Sequence, residues 1–334
     1  MRVVLTFVSI MIFSIISAKA QDYNDYLQSA YKHLNEGNAE KAQKAYYVYR
    51  TLSGSIDSGF ETALENRLKK EGLITETNFP DPIFRKYVLD NFDINRDGKL
   101  SQYEIDDVTS IEVSVSTSNT PDTEKIASLK GVEYFTNLTK LECDGNKLNT
   151  LDITKNTILR HLSCSSNELT SLDVSQNTAL IVLGCHSNQL TSLDVSQNTA
   201  LTDLRCYNNQ LTSLDVSKNT ALTDLYCHSN QLTYLDVSQN TALTDLWCGY
   251  NQLTSLDVSK NTALTNLRCY NNKLTSLDVS QNTALEWLSC YSNQLTSLDV
   301  SKNTALTHLY CYSNQLTSLD VSKNVKLKNL RWRR

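Results

Sequence analysis

Cysteine recurs every 21 residues from Cys143 to Cys311, and the chain has nine cysteines in all. The residues around each cysteine repeat with the same period. From Leu138 onward they follow the pattern L-x-x-L-x-C-x-x-N-x-L-x-x-L-D-V-S-x-N-T-A through nine complete units, and a partial unit continues to Arg334. A fixed period of this length is typical of a solenoid, in which each unit buries its apolar side chains only against its neighbours. More than half of the chain is therefore predicted to be one stacked array, with its function on the surface.

The unit at residues 201–221 indicates how each repeat folds. Leu204 and Cys206 flank Arg205, so this half alternates with the period of a strand that has one buried and one exposed face. The second half alternates similarly around Asp215, and each half ends in an asparagine, whose amide can satisfy backbone groups in a bend. Stacked units therefore predict two parallel sheets, with neighbouring strands ~4.8 Å apart.

This pattern resembles the leucine-rich-repeat family, in particular the 21-residue type of bacterial secreted and surface proteins that includes internalin-like adhesins. The resemblance covers residues 138–332 and implies a curved solenoid used for protein binding. The expected fold class is a β-rich leucine-rich-repeat solenoid with parallel sheets and little helix in residues 138–334, preceded by a small α-helical region. Residues 108–137 are predicted to form irregular first coils, because a terminal unit lacks one neighbour.

Residues 1–20 are typical of a secretory signal peptide, with Arg2 before an apolar run and Ala18-Lys19-Ala20 as a cleavage site. A buried N-terminal helix is the alternative. Cleavage would remove two basic residues and no acid, changing the formal charge from −5 to −7, so nucleic acid is an unsuitable partner. We expect a secreted, cell-surface or periplasmic protein without a lipid-anchor cysteine and without a transmembrane span in the mature chain.

Residues 21–75 are predicted to form a helical hairpin, and residues 60–70 a third helix. Ala30, Gly37, Ala42 and Tyr46 have spacings that resemble one tetratricopeptide unit. Single small-aromatic hairpins are common, so a packing module without a peptide ligand is the alternative.

Residues 80–107 resemble an EF-hand, a twelve-residue calcium loop between two helices. Asp81 is a candidate cap for the entering helix, and Gly98 occupies the position of the sharp turn. The resemblance implies one structural calcium ion, although a calcium switch and a chance match without metal stay open. The implied ligands are Asp93, Asn95, Asp97, Lys99 (by its carbonyl), Ser101 and Glu104.

The cysteines are predicted to point into the array as buried thiols, because side chains that leave a wall in parallel are poorly placed for disulfides. The nine aspartates of the L-D-V-S segments are predicted to form an outward row, either as a solvated face or as a weak site for divalent cations. Six basic residues and no acid lie in the last twelve positions, where they are expected to discourage further strand addition or to dock a partner.

The outward positions around the cysteines differ from unit to unit and are rich in aromatic residues and arginine. These side chains are typical of interface hot spots, and they also suit stacking on sugar rings. Neutral drift on an unused surface is the alternative. The predicted ligand-binding residues are Arg205, Tyr226, Trp247, Arg268, Tyr270, Trp287, Tyr291, Tyr310 and Tyr312.

These observations predict a non-enzymatic secreted or surface protein that binds a protein or glycan through the variable aromatic face, with one calcium ion for rigidity. A scaffold whose helical segment docks a partner is the alternative. A hydrolase is the least favoured function, because the sequence has no nucleophile motif, metal cluster or phosphate loop.

Overall fold

A computed structural model of the chain describes residues 24–36, 39–53, 57–60, 63, 74, 76 and 78–333. The predicted signal peptide and most of the predicted third helix lie outside these residues. The chain divides into two units, Met1–Leu73 with Lys99–Gln102, and Ile74–Gly98 with Tyr103–Arg334. Within the described residues, no helix combines the length and the apolar character that a membrane crossing requires.

The first unit contains the predicted helical hairpin. Helix α1 (Asn24–Asn35) packs against α2 (Ala39–Ser53). Ala30 and Ala42 are fully buried, and Tyr46 and Phe60 complete the core with ring centroids 4.4 Å apart. Small side chains let the two helices approach closely. The tetratricopeptide resemblance stays a prediction, and Gly37 lies outside the described residues.

Helix α3 (Pro82–Asn91) lies in the second unit, and a short helix α4 (Gln102–Asp107) begins at the end of the predicted calcium loop, residues 93–104. The predicted Asp81 cap is confirmed, because Asp81 Oδ1 accepts the N–H groups of Ile83 and Phe84 at 2.9 and 3.0 Å. Its Oδ2 accepts the N–H of Ala127 at 2.7 Å. One buried carboxylate therefore fixes α3 against the segment that precedes the array.

The described residues form one parallel sheet of eleven strands in sequential order, with each strand three residues long. Neighbouring strands pair in register, so that Leu204 lies beside Leu225 and Leu225 beside Leu246. The strands are β1 (Ser110–Glu112), β2 (Lys140–Glu142), β3 (His161–Ser163), β4 (Val182–Gly184), β5 (Asp203–Arg205), β6 (Asp224–Tyr226), β7 (Asp245–Trp247), β8 (Asn266–Arg268), β9 (Trp287–Ser289), β10 (His308–Tyr310) and β11 (Asn329–Arg331).

The core consists of stacked leucines, valines and cysteines. All nine cysteines are free and fully buried, which confirms the prediction of inward-pointing thiols. Burial penalises a thiolate, and it raises the pKa of Cys206 to about 12.

Two columns of buried asparagines line the bends. In the first column, Asn209 donates from Nδ2 to the carbonyls of Cys185 and Cys206 at 3.1 Å, and its Oδ1 accepts the N–H of Leu190 at 3.0 Å. In the second column, Asn219 donates to two carbonyls, but its Oδ1 is buried and has no hydrogen-bond partner among the described residues. The left-handed residue of the first bend is Asn208, with φ 53°, one position before the buried asparagine.

The predicted second sheet is wrong, because the described residues of the Asp half form no strand. Asp215 Oδ1 accepts the N–H of Ser217 at 2.9 Å, and the N–H of Asn219 bonds to the carbonyl of Val216 at 3.0 Å. Each of these donors is used within its own coil rather than between coils. The aspartate therefore turns the chain where alternation alone predicted a strand.

Candidate binding face

The sheet face is defined here as the outward residues of β2–β11 together with the residue after each cysteine. The middle residue of each strand from β2 to β10 is a fully buried leucine, so the first and third residues point to the opposite side. These residues form three columns that run along the array. The first column comprises Lys140, His161, Val182, Asp203, Asp224, Asp245, Asn266, Trp287, His308 and Asn329. The second comprises Glu142, Ser163, Gly184, Arg205, Tyr226, Trp247, Arg268, Ser289, Tyr310 and Arg331. The third comprises Asp144, Ser165, His186, Tyr207, His228, Gly249, Tyr270, Tyr291 and Tyr312.

A cluster of two tryptophans and one arginine occupies the middle of the sheet face. The guanidinium carbon of Arg268 lies 3.8 Å from the ring centroid of Trp247 and 4.7 Å from that of Trp287. The other face of Trp287 stacks on His308, with centroids 4.1 Å apart and ring planes 12° from parallel. We call Trp247, Arg268 and Trp287 the Trp–Arg–Trp clamp. Cation–π contacts and shared burial make it a preformed feature of the surface.

Aromatic rings of the third column stack on one another in two groups. Tyr207 lies between His186 and His228, with centroid distances of 4.1 and 4.3 Å. In the second group, Tyr291 stacks on Tyr270 at 4.7 Å and on Tyr312 at 4.6 Å, with ring planes within 5° of parallel. The in-register parallel sheet sets this geometry, because it places equivalent side chains one strand spacing apart.

Gly249 separates the two stacks. A Cβ atom at this position would lie 2.9 Å from Cε2 of Tyr270, so the tyrosine ring occupies the space that a side chain would fill. The N–H of Tyr250 bonds to the carbonyl of Tyr270 at 2.9 Å, so the coil remains in register here.

The two arginines in the middle of the sheet face differ in their partners. Arg205 donates from Nε and Nη2 to the carboxylate of Asp203, with a shortest distance of 2.7 Å. Arg268 donates only from Nε, to Asn266 Oδ1 at 3.2 Å, and it makes no ion pair with any residue that the structure describes. Burial lowers the pKa of Arg268, and the nearby charge of Asp245 opposes this shift without overcoming it.

Asp203, Asp224 and Asp245 lie side by side in the first column. The carboxylate of Asp224 accepts hydrogen bonds from the hydroxyls of Thr223 at 2.7 Å and Tyr226 at 3.2 Å. Asp245 accepts the amide of Asn266 at 2.8 Å, and burial raises its pKa despite this bond. The sheet face therefore carries two carboxylates without an ion pair on β6 and β7, next to the Arg268 cation on β8, which has no ion pair within the described residues.

All nine predicted ligand-binding residues lie on the sheet face. Five of them lie in the second column, namely Arg205, Tyr226, Trp247, Arg268 and Tyr310. Of these five, Trp247 and Arg268 belong to the clamp. Trp287 belongs to the first column, and the remaining three are the tyrosine stack of the third column, Tyr270, Tyr291 and Tyr312. Whether these residues bind a ligand stays a prediction.

Sequence reasoning did not single out Asp203, Asn266 or Gly249. Asp203 and Asn266 decide which arginine is neutralised, and Gly249 decides where the ring stacks end. Their signal was present in the sequence as differences between repeats at the first strand position and at the position after cysteine. These differences could be interpreted only when the structure showed which side chains lie beside one another.

The outward row of aspartates has a structural task. From Asp173 to Asp320, each Oδ1 accepts the N–H of the serine two residues later at 2.8–2.9 Å. This bond lowers the pKa of Asp173, Asp194, Asp215, Asp257, Asp278, Asp299 and Asp320. The first member, Asp152, bonds to Thr154 instead. These bonds provide a local reason for the aspartate in every unit, and cation binding stays a prediction.

The predicted calcium loop is folded around the carboxylates of its first and last residues, Asp93 and Glu104, which are both buried. Asp93 accepts the N–H groups of Asp97 and Gly98 at 3.1 and 2.9 Å, and Gly98 adopts φ 76° at the sharp turn. Glu104 Oε1 accepts the N–H of Ile94 at 2.8 Å. Among the described residues, no three His, Cys, Asp or Glu side chains converge as a metal cluster. The oxygen donors suit calcium chemically, but Glu104 bonds to the loop backbone, and metal would compete with that bond.

The eleven-stranded parallel array and its two asparagine columns define a leucine-rich-repeat solenoid. Its sequence is 45% identical to the functional domain of InlJ from Listeria monocytogenes, which includes a cysteine ladder; the match has a TM-score of 0.71 and covers 75% of this chain and 54% of that one. This chain therefore spans just over half the length of the InlJ domain.

Two further solved structures share the fold. The internalin InlF from Listeria monocytogenes matches with a TM-score of 0.61 and 24% identity, over 78% of this chain and 86% of that one. A leucine-rich-repeat protein from Leptospira interrogans matches with a TM-score of 0.55 and 23% identity, over 74% and 69% respectively. Identities this low show the fold alone. No protein-family model and no curated protein matches the chain.

Proposed function

We propose that this chain is a non-enzymatic binding protein of the cell surface or extracellular space that recognises a protein through its sheet face. The observation that carries the proposal is the run of aromatic and arginine side chains held by one another on a rigid parallel sheet. Tryptophan, tyrosine and arginine dominate the energetics of protein interfaces, and a surface that is already ordered loses little entropy on binding. The similarity to the functional domain of InlJ supports this proposal.

The geometry of the rings supports a protein ligand over a glycan. Sugars bind aromatic residues by lying against an exposed ring face. On this surface, Tyr207 and Tyr291 are covered on both faces by neighbouring rings. Trp287 is covered by His308 on one side and Arg268 on the other. Ring edges and hydroxyl groups are left for the ligand, and these suit edge-to-face contacts and hydrogen bonds with protein groups.

Alanine substitutions on the sheet face test this proposal. Purified extracellular domains and a glycan array are probed with the native chain and with Trp247→Ala and Trp287→Ala. Tyr234→Ala is the matched control, because Tyr234 is an aromatic residue that is 65% exposed and lies in the Asp half of its coil. A captured protein that both tryptophan variants lose and the control retains supports the proposal. Binding that survives both tryptophan changes, or capture of glycans alone, would count against it.

Secretion is part of the proposal and has its own test. If residues 1–20 are a signal peptide, the exported chain begins at Gln21. N-terminal sequencing of the protein recovered from the expressing cells measures this directly. A chain that retains Met1 and remains inside the cells would contradict it.

One structural calcium ion at residues 93–104 completes the proposal. Calcium that binds only the folded chain would stabilise it by about 2.7 kcal/mol when its concentration is 100 times the dissociation constant. The melting temperature is therefore expected to rise with calcium and to fall with a chelator, and Asp93→Asn should abolish the difference. Asp90→Asn is the control, since Asp90 is exposed and pairs with Lys86 outside the loop. Equal melting temperatures with calcium and with chelator would contradict a calcium site.

A further inference from the structure

The Trp–Arg–Trp clamp contains two features that reduce the stability of the folded chain. Its cation is half-buried, and indole rings cover both sides of the guanidinium. The Nε1–H of Trp287 is buried without a hydrogen-bond partner among the described residues. A partly buried cation and an unsatisfied indole donor both cost stability, and such costs concentrate at functional sites.

The donors that remain on Arg268 define what the clamp can bind. Its Nε bonds to Asn266, and its two Nη groups donate to none of the residues that the structure describes. The indole rings fix the plane of the guanidinium, so these donors are presented as a fork in one orientation. A planar fork of N–H groups matches the two oxygens of a carboxylate.

We propose that the Trp–Arg–Trp clamp is an acid-recognition site that binds the carboxylate of an aspartate or glutamate side chain of the protein ligand. This inference rests on the proposed function, and it specifies the chemistry of the partner at one place on the sheet face. Arg205 has no such role, because Asp203 already satisfies its fork.

The surroundings of the clamp favour an isolated single charge. Asp224 lies on β6 and Asp245 on β7, the strand of Trp247, and neither makes an ion pair with a described residue, although the charges of Asp245 and Arg268 act on each other. They repel a polyanion or a doubly charged phosphate more strongly than one carboxylate. The same carboxylates attract a cation, so the partner is expected to present an acid over β8 and a basic group over β6 and β7. Complementary charges of this kind fix the orientation of a bound protein.

The ring geometry favours a protein acid over an acidic sugar. A sugar carboxylate would bring its ring against the neighbouring aromatic groups, and the faces of Trp287 and Tyr291 are already covered. A glutamate or aspartate side chain reaches the fork on a narrow aliphatic stem and needs no exposed ring face.

Side-chain NMR of the whole chain labelled with ¹⁵N-arginine tests the proposal. The protein is titrated at constant ionic strength with N-acetylglutamate N-methylamide, with its neutral glutamine analogue and with N-acetylneuraminic acid. The Nε–H signal of Arg268 is assigned from Arg268→Lys. We expect the glutamate probe to shift this signal saturably, at least about five-fold more than the signal of Arg205. The glutamine analogue should leave it in place.

A gain-of-response variant provides the matched control. Asp203→Asn removes the partner of Arg205 and should make Arg205 respond to the glutamate probe while leaving Arg268 unchanged. Trp287→Ala removes one wall of the clamp and should reduce the response of Arg268.

Each contrary outcome overturns the proposal. An Arg268 signal that stays in place, shifts equally with the glutamine analogue, or shifts no more than that of native Arg205 shows that the clamp does not recognise an acid. A response to N-acetylneuraminic acid alone assigns the site to acidic sugars instead. A silent Arg268 together with loss of protein capture by Trp247→Ala would overturn the acid site and leave the proposed function standing.

Discussion

The two asparagine columns predict different stability losses for the same substitution. The order of these losses is opposite to the one that burial alone would predict. Replacing Asn209 by alanine removes an amide that bonds to four backbone groups. The carbonyls of Cys185, Cys206 and Tyr207 each keep a second donor, from a neighbouring asparagine or from a backbone N–H. The N–H of Leu190 has no other acceptor in the described structure. An orphaned buried donor costs about 1–3 kcal/mol, so the total loss should be about 3 kcal/mol once the weaker bonds are included.

The equivalent change at Asn219 should cost much less. Its Nδ2 bonds to the carbonyls of Val195 and Asn198, and these carbonyls also accept the N–H groups of Asn198 and Leu201. No backbone group is therefore orphaned in Asn219→Ala. The change also removes the buried Oδ1, which accepts no hydrogen bond within the described part of the chain. We expect a loss of about 1 kcal/mol, although Asn219 is fully buried and Asn209 is 9% exposed.

Urea denaturation of the two variants measures this difference of about 2 kcal/mol between changes of the same residue type within one coil. Tryptophan fluorescence and circular dichroism are followed together, because long repeat arrays can lose two-state behaviour. Equal losses, or a larger loss for Asn219→Ala, would refute the bond-by-bond reasoning and favour simple burial as the determinant of stability.

Three further predictions concern strain, thiols and pH. Tyr250 adopts φ 50°, a left-handed conformation that bulky residues disfavour, so Tyr250→Asn should raise the urea midpoint; Tyr250→Phe is the control, and a lower midpoint for the asparagine variant would contradict this. The nine buried cysteines should be unreactive towards a thiol reagent in the native protein, and all nine should react in urea, whereas a smaller number in urea would reveal a disulfide. Burial lowers the pKa of His228 from 6.5 to about 4, so the folded protein binds fewer protons than the unfolded chain in this range, and stability should fall as the pH decreases from about 6.5 to about 4. In His228→Gln this decrease should be smaller, and an unchanged pH profile would contradict the assignment.

The sequence predicted the array well because its period is also its structural unit. Each 21-residue interval forms one coil, so leucine and cysteine at fixed positions identify the buried side, and the asparagines identify the bends. The error of a second sheet has a local cause. A strand and a turn stabilised by an aspartate both place alternate side chains outward, and the period of two cannot separate them.

The candidate site was predictable only as a set of positions. Variation between units located Trp247, Arg268 and Trp287 on the exposed side. It did not show that Arg268 lies between the two indole rings, because Trp247 is in the second column on β7 and Trp287 is in the first column on β9. Nor did it show that Arg205 is neutralised by a residue of its own strand. These facts depend on rotamers and on neighbours across the sheet, which a linear period does not encode.

Because Gly249 separates the two ring stacks, its coil, residues 243–263, matters when whole repeats are gained or lost in the gene. Recombination between repeats removes or adds 21 residues while leaving every inter-coil hydrogen bond type intact. Loss of this one coil would bring His228 beside Tyr270 and fuse two three-ring stacks into a single run of six. It would also delete Trp247 and leave Arg268 with one indole neighbour. A single genetic event would thus change the order of rings and charges on the sheet face while the leucines, cysteines and asparagines of the interior keep their positions.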